Sequence, residues 1–447
     1  MKKPNMKLAV PLLLFTLLAH MGASALAAPF FLPTGVDVHN TGDPRIEADS
    51  AGNLHMVYPY VAAMGAVYAW CPAGCADDSL VYTVAFETDT AVSNAMVAVD
   101  STDRPHVLLG THEQIIYATC EGDCRMGGNW RYGVIHEHDG DWEITGEAFT
   151  LDPAGRPRFL MHSYQAYLGL FAPEPGTRFF TCDADCLQAD SWSSSLISEQ
   201  SWLEPTFRYD TSGVAHVSAV IPVDEVDLVA YLRCDTDCGN EVEDNWPGVG
   251  LANAFSDRYI EEISPAVSMA LTGSGGVRLA FLAADDASER MLVYFQCDTG
   301  CTEPDASGWD GLIMQQGEDA SNLGDGIDLA LDGQDRPRLA YTVQSSILVA
   351  TCNTDCTNAS GNDDWGATRA ELSSDIPPDD IFLYHNCTVG FWNLRQPSIA
   401  LGPDGQPAVA YRAEDISVGF TTPDPTRPAC TAGVDMTMAR LSIVQPD

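Results

Sequence analysis

The chain has 447 residues, a formal net charge of −41 and a sequence pI near 4.2, and its only lysines are Lys2, Lys3 and Lys7. So acidic a field repels nucleic acid and anionic membrane surfaces, and no basic stripe or aromatic RNA-binding motif offsets it, which excludes both as partners. The missing lysines also exclude Schiff-base and P-loop chemistry.

In chain order, the three lysines precede an apolar run from Leu8 to Leu18, and Ala25-Leu26-Ala27 forms a small-residue cleavage site. This pattern predicts a secretory signal peptide over residues 1–27, leaving residues 28–447 as one domain. No later stretch reaches the roughly 18 to 20 apolar residues needed to span a bilayer, so the expected location is secreted or periplasmic. An exported chain meets an oxidising compartment, and its 14 cysteines are read as seven disulfides rather than as zinc ligands. Six pairs share the spacing Cys-x-x-x-Cys: Cys71/Cys75, Cys120/Cys124, Cys182/Cys186, Cys234/Cys238, Cys297/Cys301 and Cys352/Cys356. Across a short hairpin turn that spacing brings two sulfurs within bonding reach. Cys387 and Cys430 remain, and by elimination pair with each other.

Each Cys-x-x-x-Cys belongs to a longer repeat. Upstream lies an apolar strand, an Asp-x-x-Gly turn and a second strand opened by His or Arg, as in the run from Leu329 to Tyr341. The turn position is held by Asp49, Asp100, Asp152, Asp210, Thr272, Asp332 and Gly402, giving seven copies. In the sixth copy Ile327 to Leu331, Arg338 to Thr342, Ile347 to Cys352 and the stretch after Trp365 alternate as four strands. Seven units of four strands predict an all-β, seven-bladed propeller of antiparallel blades, most of them carrying a hairpin disulfide. Its expected closure uses Met436 to Val444 as the outer strand of the last blade, with the segment from Gly35 to Asn40 beside it.

In a propeller the first and third turns of every blade open on one face. Here those are the regular Asp-x-x-Gly and Cys-x-x-x-Cys turns, so that face is structural. The ring His55, His106, Arg158, His216, Arg278 and Arg338 is expected to hydrogen-bond across its own hairpins rather than to hold a ligand. Function falls to the opposite face, whose connections vary and are rich in aromatics and carboxylates. Trp142, Trp202, Tyr259, Tyr384 and Trp392 are the candidate binding aromatics, since sugar rings stack on flat π faces. Near the axis, most innermost strands carry small or apolar residues, but Arg45, Glu47, Arg208 and Asp328 break the pattern. They line a pocket, or they form ion pairs in a water-filled channel. His136 and His138 alternate on one strand beside Asp139 and Asp141, which permits a metal site without a defined third ligand. No cofactor motif is present, although acid-rich turns would accept structural calcium.

The repeated hairpin resembles the secreted bacterial propellers assembled from BNR-like, sialidase-like repeats, over nearly all of residues 28–447. Asp43-Pro44-Arg45-Ile46-Glu47 followed by Gly52-Asn53-Leu54 is similar to the Arg-Ile-Pro opening strand of sialidases, with Glu47 in place of Pro. Cys-x-x-x-Cys stands where that family has its Asp box. The resemblance implies an arginine clamp for a substrate carboxylate and a Tyr nucleophile with an acidic partner, for which Arg45, Arg208, Arg395, Tyr259 and Glu261 are the candidates. The leading expectation is a non-catalytic propeller that binds a carbohydrate or an extracellular protein partner. A sialidase-like glycoside hydrolase centred on Arg45 and a structural extracellular scaffold are the alternatives.

Overall fold

The computed structural model of the chain describes residues 28–34, 40–60, 64–163, 175–223, 226–240, 245–254, 267–284, 290–315, 323–358, 365–376, 387–420 and 434–444. These form seven antiparallel sheets arranged as the blades of a propeller. Blade 1 runs outward from the axis as Arg45–Ala48, Leu54–Tyr60, Gly65–Cys71 and Tyr82–Glu87, and the following blades repeat that order. No described helix is long and apolar enough to cross a membrane.

The repeated residues earn their places by closing hairpins. After each innermost strand the Asp side chain turns back on its own loop. Asp332 Oδ1 accepts from the backbone N–H of Gln334 (2.9 Å) and Arg336 (3.1 Å), and Asp49 does the same for Ala51 (3.0 Å) and Asn53 (2.7 Å). Where Asp is replaced, Thr272 Oγ1 accepts from Gly276 N at 2.8 Å. These turns need a left-handed residue, supplied by Gly52 (φ 81°) in blade 1 and by Asp103 (φ 63°) and Asp335 (φ 59°) in blades 2 and 6.

The His/Arg ring belongs to the same hairpins, as its spacing implied. His55, His106 and His216 each meet a buried tyrosine hydroxyl through Nδ1 (Tyr68, Tyr117 and Tyr231), and their Nε2 atoms lie 3.4, 3.4 and 3.6 Å from Asp49, Asp100 and Asp210. Arg158 and Arg338 reach Asp152 (3.0 Å) and Asp332 (2.7 Å), while Arg278, lacking an Asp in the turn, pairs with Asp298 (2.8 Å). Burial is the main influence on the three histidines and holds them below their ordinary pKa, against the pull of the neighbouring carboxylates.

The six Cys-x-x-x-Cys pairs are disulfides, so none of their sulfurs is free to hold zinc. Cys71–Cys75, Cys120–Cys124, Cys182–Cys186, Cys234–Cys238, Cys297–Cys301 and Cys352–Cys356 all have Cα–Cα separations of 5.6 to 5.8 Å. The first cysteine of each pair ends the third strand and is buried. The second sits in the turn, where Cys75 and Cys356 are buried and Cys124, Cys186, Cys238 and Cys301 are half-buried. In five blades a tryptophan at or just before the fourth strand donates its indole N–H to the carbonyl of that second cysteine. Trp130 reaches Cys124, Trp192 Cys186, Trp246 Cys238, Trp309 Cys301 and Trp365 Cys356, at 2.8 to 3.1 Å. The bond fixes the turn, and the ring covers the flank of the neighbouring blade, as Trp309 does on Tyr231 (5.3 Å between centroids). The side chain of Cys387 and all of Cys430 lie outside the described residues, so their pairing stands as an expectation.

Closure differs from the sequence expectation. Val434–Ile443 is the third strand of blade 7, and the outermost is Phe30–Phe31 from the chain start, with Phe30 opposite Leu441 and Phe31 opposite Arg440. The segment from Gly35 to Asn40, apart from Asn40 itself, lies outside the described residues. The physical reason lies in Arg440, whose fully buried guanidinium is held by Glu371 of blade 6 and donates to Pro29 O at 3.1 Å, while sitting 4.1 Å from the Phe31 ring centre. Tyr411 Oη donates to the same Glu371 carboxylate. A buried ion pair at the seam thus clamps the first strand onto the last.

Candidate functional site

Seven innermost strands surround a cavity of about 380 Å³ on the axis. Small and apolar side chains line most of it, and five charged ones break the ring: Arg45, Glu47, Glu147, Arg208 and Asp328. Four of these stand out in the repeat pattern, and the structure brings all four together. The fifth, Glu147, joins their centre. Its carboxylate receives Arg208 Nη2 on one oxygen and lies 3.6 Å from Arg45 Nη1 on the other. Burial alone would raise the Glu147 pKa, but Arg208 and Arg45 outweigh it and hold the group ionised. Asp328, in contact with Glu147, is pushed up by burial and by that neighbour. It also ties three blades together, with Oδ1 accepting from Ser268 Oγ (2.8 Å) and Leu329 N (2.8 Å) and Oδ2 from Ile399 N (2.7 Å).

Glu147 reaches the axis because the innermost strand of blade 3 is broken. Trp142–Glu143 and Phe149–Leu151 both pair with Pro157–Ser163, and between them the chain leaves the sheet. Gly146, at φ 60°, lets it do so, since a Cβ there would stand 2.7 Å from the backbone of Glu204 and Pro205. The chain then bridges to blade 4, with Glu147 opposite Thr206 and Glu147 N donating to Pro205 O at 2.8 Å. A scan of every second residue along a regular strand lands on Ala148 and passes over Glu147. The Ile144-Thr145-Gly146 interruption is the one sequence signal that marks the shift in phase.

Glu47 shows the electrostatics of the cavity most directly. Burial raises its pKa to about 7, opposed by Arg208 and reinforced by Glu147. Two further carboxyls sit at the break. Burial raises Glu204 to about 7 despite Arg45, with Asp43 adding to the rise, and raises Glu143 to about 8 with help from Glu204. His162 Nε2 lies 2.8 Å from Thr145 Oγ1 and its Nδ1 lies 3.1 Å from the carbonyl of Ser163, while burial lowers its pKa to about 4. The imidazole is therefore neutral, with its proton on Nδ1 and Thr145 donating to Nε2.

The third arginine of the expected clamp stands elsewhere. Arg395 pairs with Asp325 and Glu414 in a chain of alternating charge that runs from Arg290 to Arg412 and Asp43. Arg45 and Arg208 meet on Glu147, and Arg395 does not join them. The aromatic candidates divide as well. Trp202 is 2% exposed, packed edge-on against Trp246, and Trp392 is 3% exposed beside Phe31, so both are core residues rather than ligand platforms. Their neighbouring polar residues suggested loops, but both rings fill gaps between blades. Trp142 is half-buried, with the Arg178 guanidinium 4.9 Å over its ring. Tyr259, Glu261 and Tyr384 lie outside the described residues. His136 stacks 6.2 Å from His138 and packs on Phe180, and no described group of three His, Cys, Asp or Glu has the arrangement to hold a metal ion.

No family model matches the sequence, and no curated protein matches it. Solved structures do. The polysaccharide lyase Uly1 is 10% identical, with a TM-score of 0.49 over 94% of this chain and 97% of that one. The α-L-arabinofuranosidase Arb93A from Fusarium graminearum is 10% identical, with a TM-score of 0.43 over 78% and 98% of the two chains. A leech intramolecular trans-sialidase is 11% identical, with a TM-score of 0.39 over 86% and 66%. At such identities and TM-scores these likenesses assign no activity. The chain is a seven-bladed β-propeller by its own sheet topology.

Proposed function

We propose that the protein is an exported, non-catalytic propeller that binds carbohydrate in its axial cavity. The observation that carries this reading is the mixed array lining the cavity. Sugar hydroxyls donate and accept at once, and planar guanidinium and carboxyl groups lining one cavity offer both functions in fixed directions. Arg45 supports it most, because among the described residues its one ion-pair partner is Glu147 at 3.6 Å and its Nε has no hydrogen bond. A sialidase-like clamp is disfavoured on the same ground: two arginines share a carboxylate of the protein itself, and the third is engaged with Asp325 and Glu414.

Retention of the mature protein on immobilised glycans tests the reading. Binding to one glycan class, weakened tenfold or more by Arg45→Ala and little by Trp142→Ala, is expected. A hydrolytic alternative has one observation in its favour, the proton-holding pair Glu143 and Glu204 at the edge of the site. Turnover of aryl glycosides or of a sialoside reporter by the wild type, lost in Glu204→Gln, decides for that alternative.

A further inference from the structure

The cavity's two arginines and its carboxylates are unequally engaged. Glu147 takes both guanidinium groups, and Asp328 accepts three hydrogen bonds from Ser268, Leu329 and Ile399. Glu47 is left. Its carboxyl lines the cavity but accepts no hydrogen bond from any described residue, and no described cation lies within ion-pair distance of it. The charged groups facing it are Arg208 from blade 4, Glu147 from the break in blade 3, Asp328 from blade 6 and Arg45 two residues back on its own strand. Arg45, for its part, keeps donors without hydrogen-bond acceptors.

Two residues of one strand thus present an open acceptor and open donors to the same space. A hydroxyl satisfies the Arg45 donors. A carboxylate ligand would have to sit against Glu47 and compete with Glu147 for the arginines. A divalent metal lacks the ligand set among the described residues. The group that complements an unpaired carboxylate is an ammonium, and no described residue is a lysine that could supply one. The approach favours the same sign: Glu143 and Glu204 stand beside the site, and the whole chain carries a net charge of −41 that draws cations inward.

We infer that the ligand of the axial cavity is an amino sugar, whose protonated amine donates to Glu47 while neighbouring hydroxyls accept from Arg45. This rests on the carbohydrate reading above and specifies it. Forming the contact stabilises the ionised carboxyl and the protonated amine together, so Glu47 gives up its proton when the amine binds, and that proton reaches the buffer only at a pH where the free amine is already fully protonated.

Titration calorimetry of the full mature chain with three tetrasaccharides tests it: the glucosamine oligomer, its N-acetylated counterpart and the glucose oligomer. At about pH 7 and low salt the glucosamine oligomer should bind at least about tenfold more tightly than the other two, and the advantage should shrink as salt screens it. Repeating the titration at about pH 5.5, where the free amine is fully protonated, in buffers of different ionisation enthalpy should reveal proton release on binding of the amine alone. Glu47→Gln should remove both the preference and the released proton. Equal affinity for all three sugars overturns the amine inference while the carbohydrate reading stands, and failure of all three to bind overturns both. A preference that survives Glu47→Gln, or tighter binding of an N-acetylneuraminate oligomer, also overturns the assignment.

Discussion

Replacing Glu47 by Gln should make the protein more stable at alkaline pH and leave it nearly unchanged in acid. The folded carboxyl takes its proton at about 7 against an ordinary value of 4.5, because burial outweighs the help of Arg208. Between those two values the unfolded chain is ionised while the folded one still holds its proton, so stability falls as pH rises through the window and is restored below it. At about 1.4 kcal/mol per pH unit the window is worth about 3 kcal/mol, and water in the cavity reduces this to roughly 1–2 kcal/mol. With unfolding entropy near ~2.1 cal/mol/K per residue, that is a rise of only about 1–2 °C for a chain of this length. Urea unfolding of the wild type and Glu47→Gln at about pH 4 and pH 8 is therefore the better assay. The gap between the two proteins should open only at the higher pH. A gap of equal size at both pH values, or a less stable variant at pH 8, would refute the electrostatic account.

The two tryptophans that the sequence groups on one binding surface should part company: Trp202→Ala should lower stability by about 3–5 kcal/mol in urea unfolding, whereas half-buried Trp142→Ala should change it by less than about 1 kcal/mol. The buried histidines predict an acid limit. His55, His106 and His216 are held below their ordinary value of 6.5, so the stabilisation they share in neutral form is present above that pH and lost as pH falls below it, and His106→Gln should flatten the acid slope of a thermal-midpoint scan. A five-residue disulfide ring constrains the unfolded chain by about 2 kcal/mol on the chain-entropy model, so Cys182→Ala combined with Cys186→Ala should destabilise by that order, with the Trp192 indole bond still closing the turn.

The architecture was legible because local chemistry repeats. An Asp that caps its own turn, a His or Arg that answers it, and two cysteines four apart are contacts made within one hairpin, so their spacing along the chain is their spacing in space. The polar residues of the axis were legible for a related reason: Arg45, Glu47, Arg208 and Asp328 violate a pattern that the other blades obey. What escaped the sequence is what depends on several blades meeting at once. Glu147 enters the cavity through a break in one strand and a bridge to the next blade, and no periodicity records either. Phe30–Phe31 closes the ring because a buried Arg440–Glu371 pair receives it 411 residues away from Pro29, a contact between chain ends that neither end announces. Trp202 and Trp392 look like surface aromatics among polar neighbours, and only the packing of adjacent blades turns them inward. Repeats dictate each blade through short-range hydrogen bonds, while the character of the axis is set where seven different strands converge, and there only the tertiary structure decides which charges meet and which one is left without a partner.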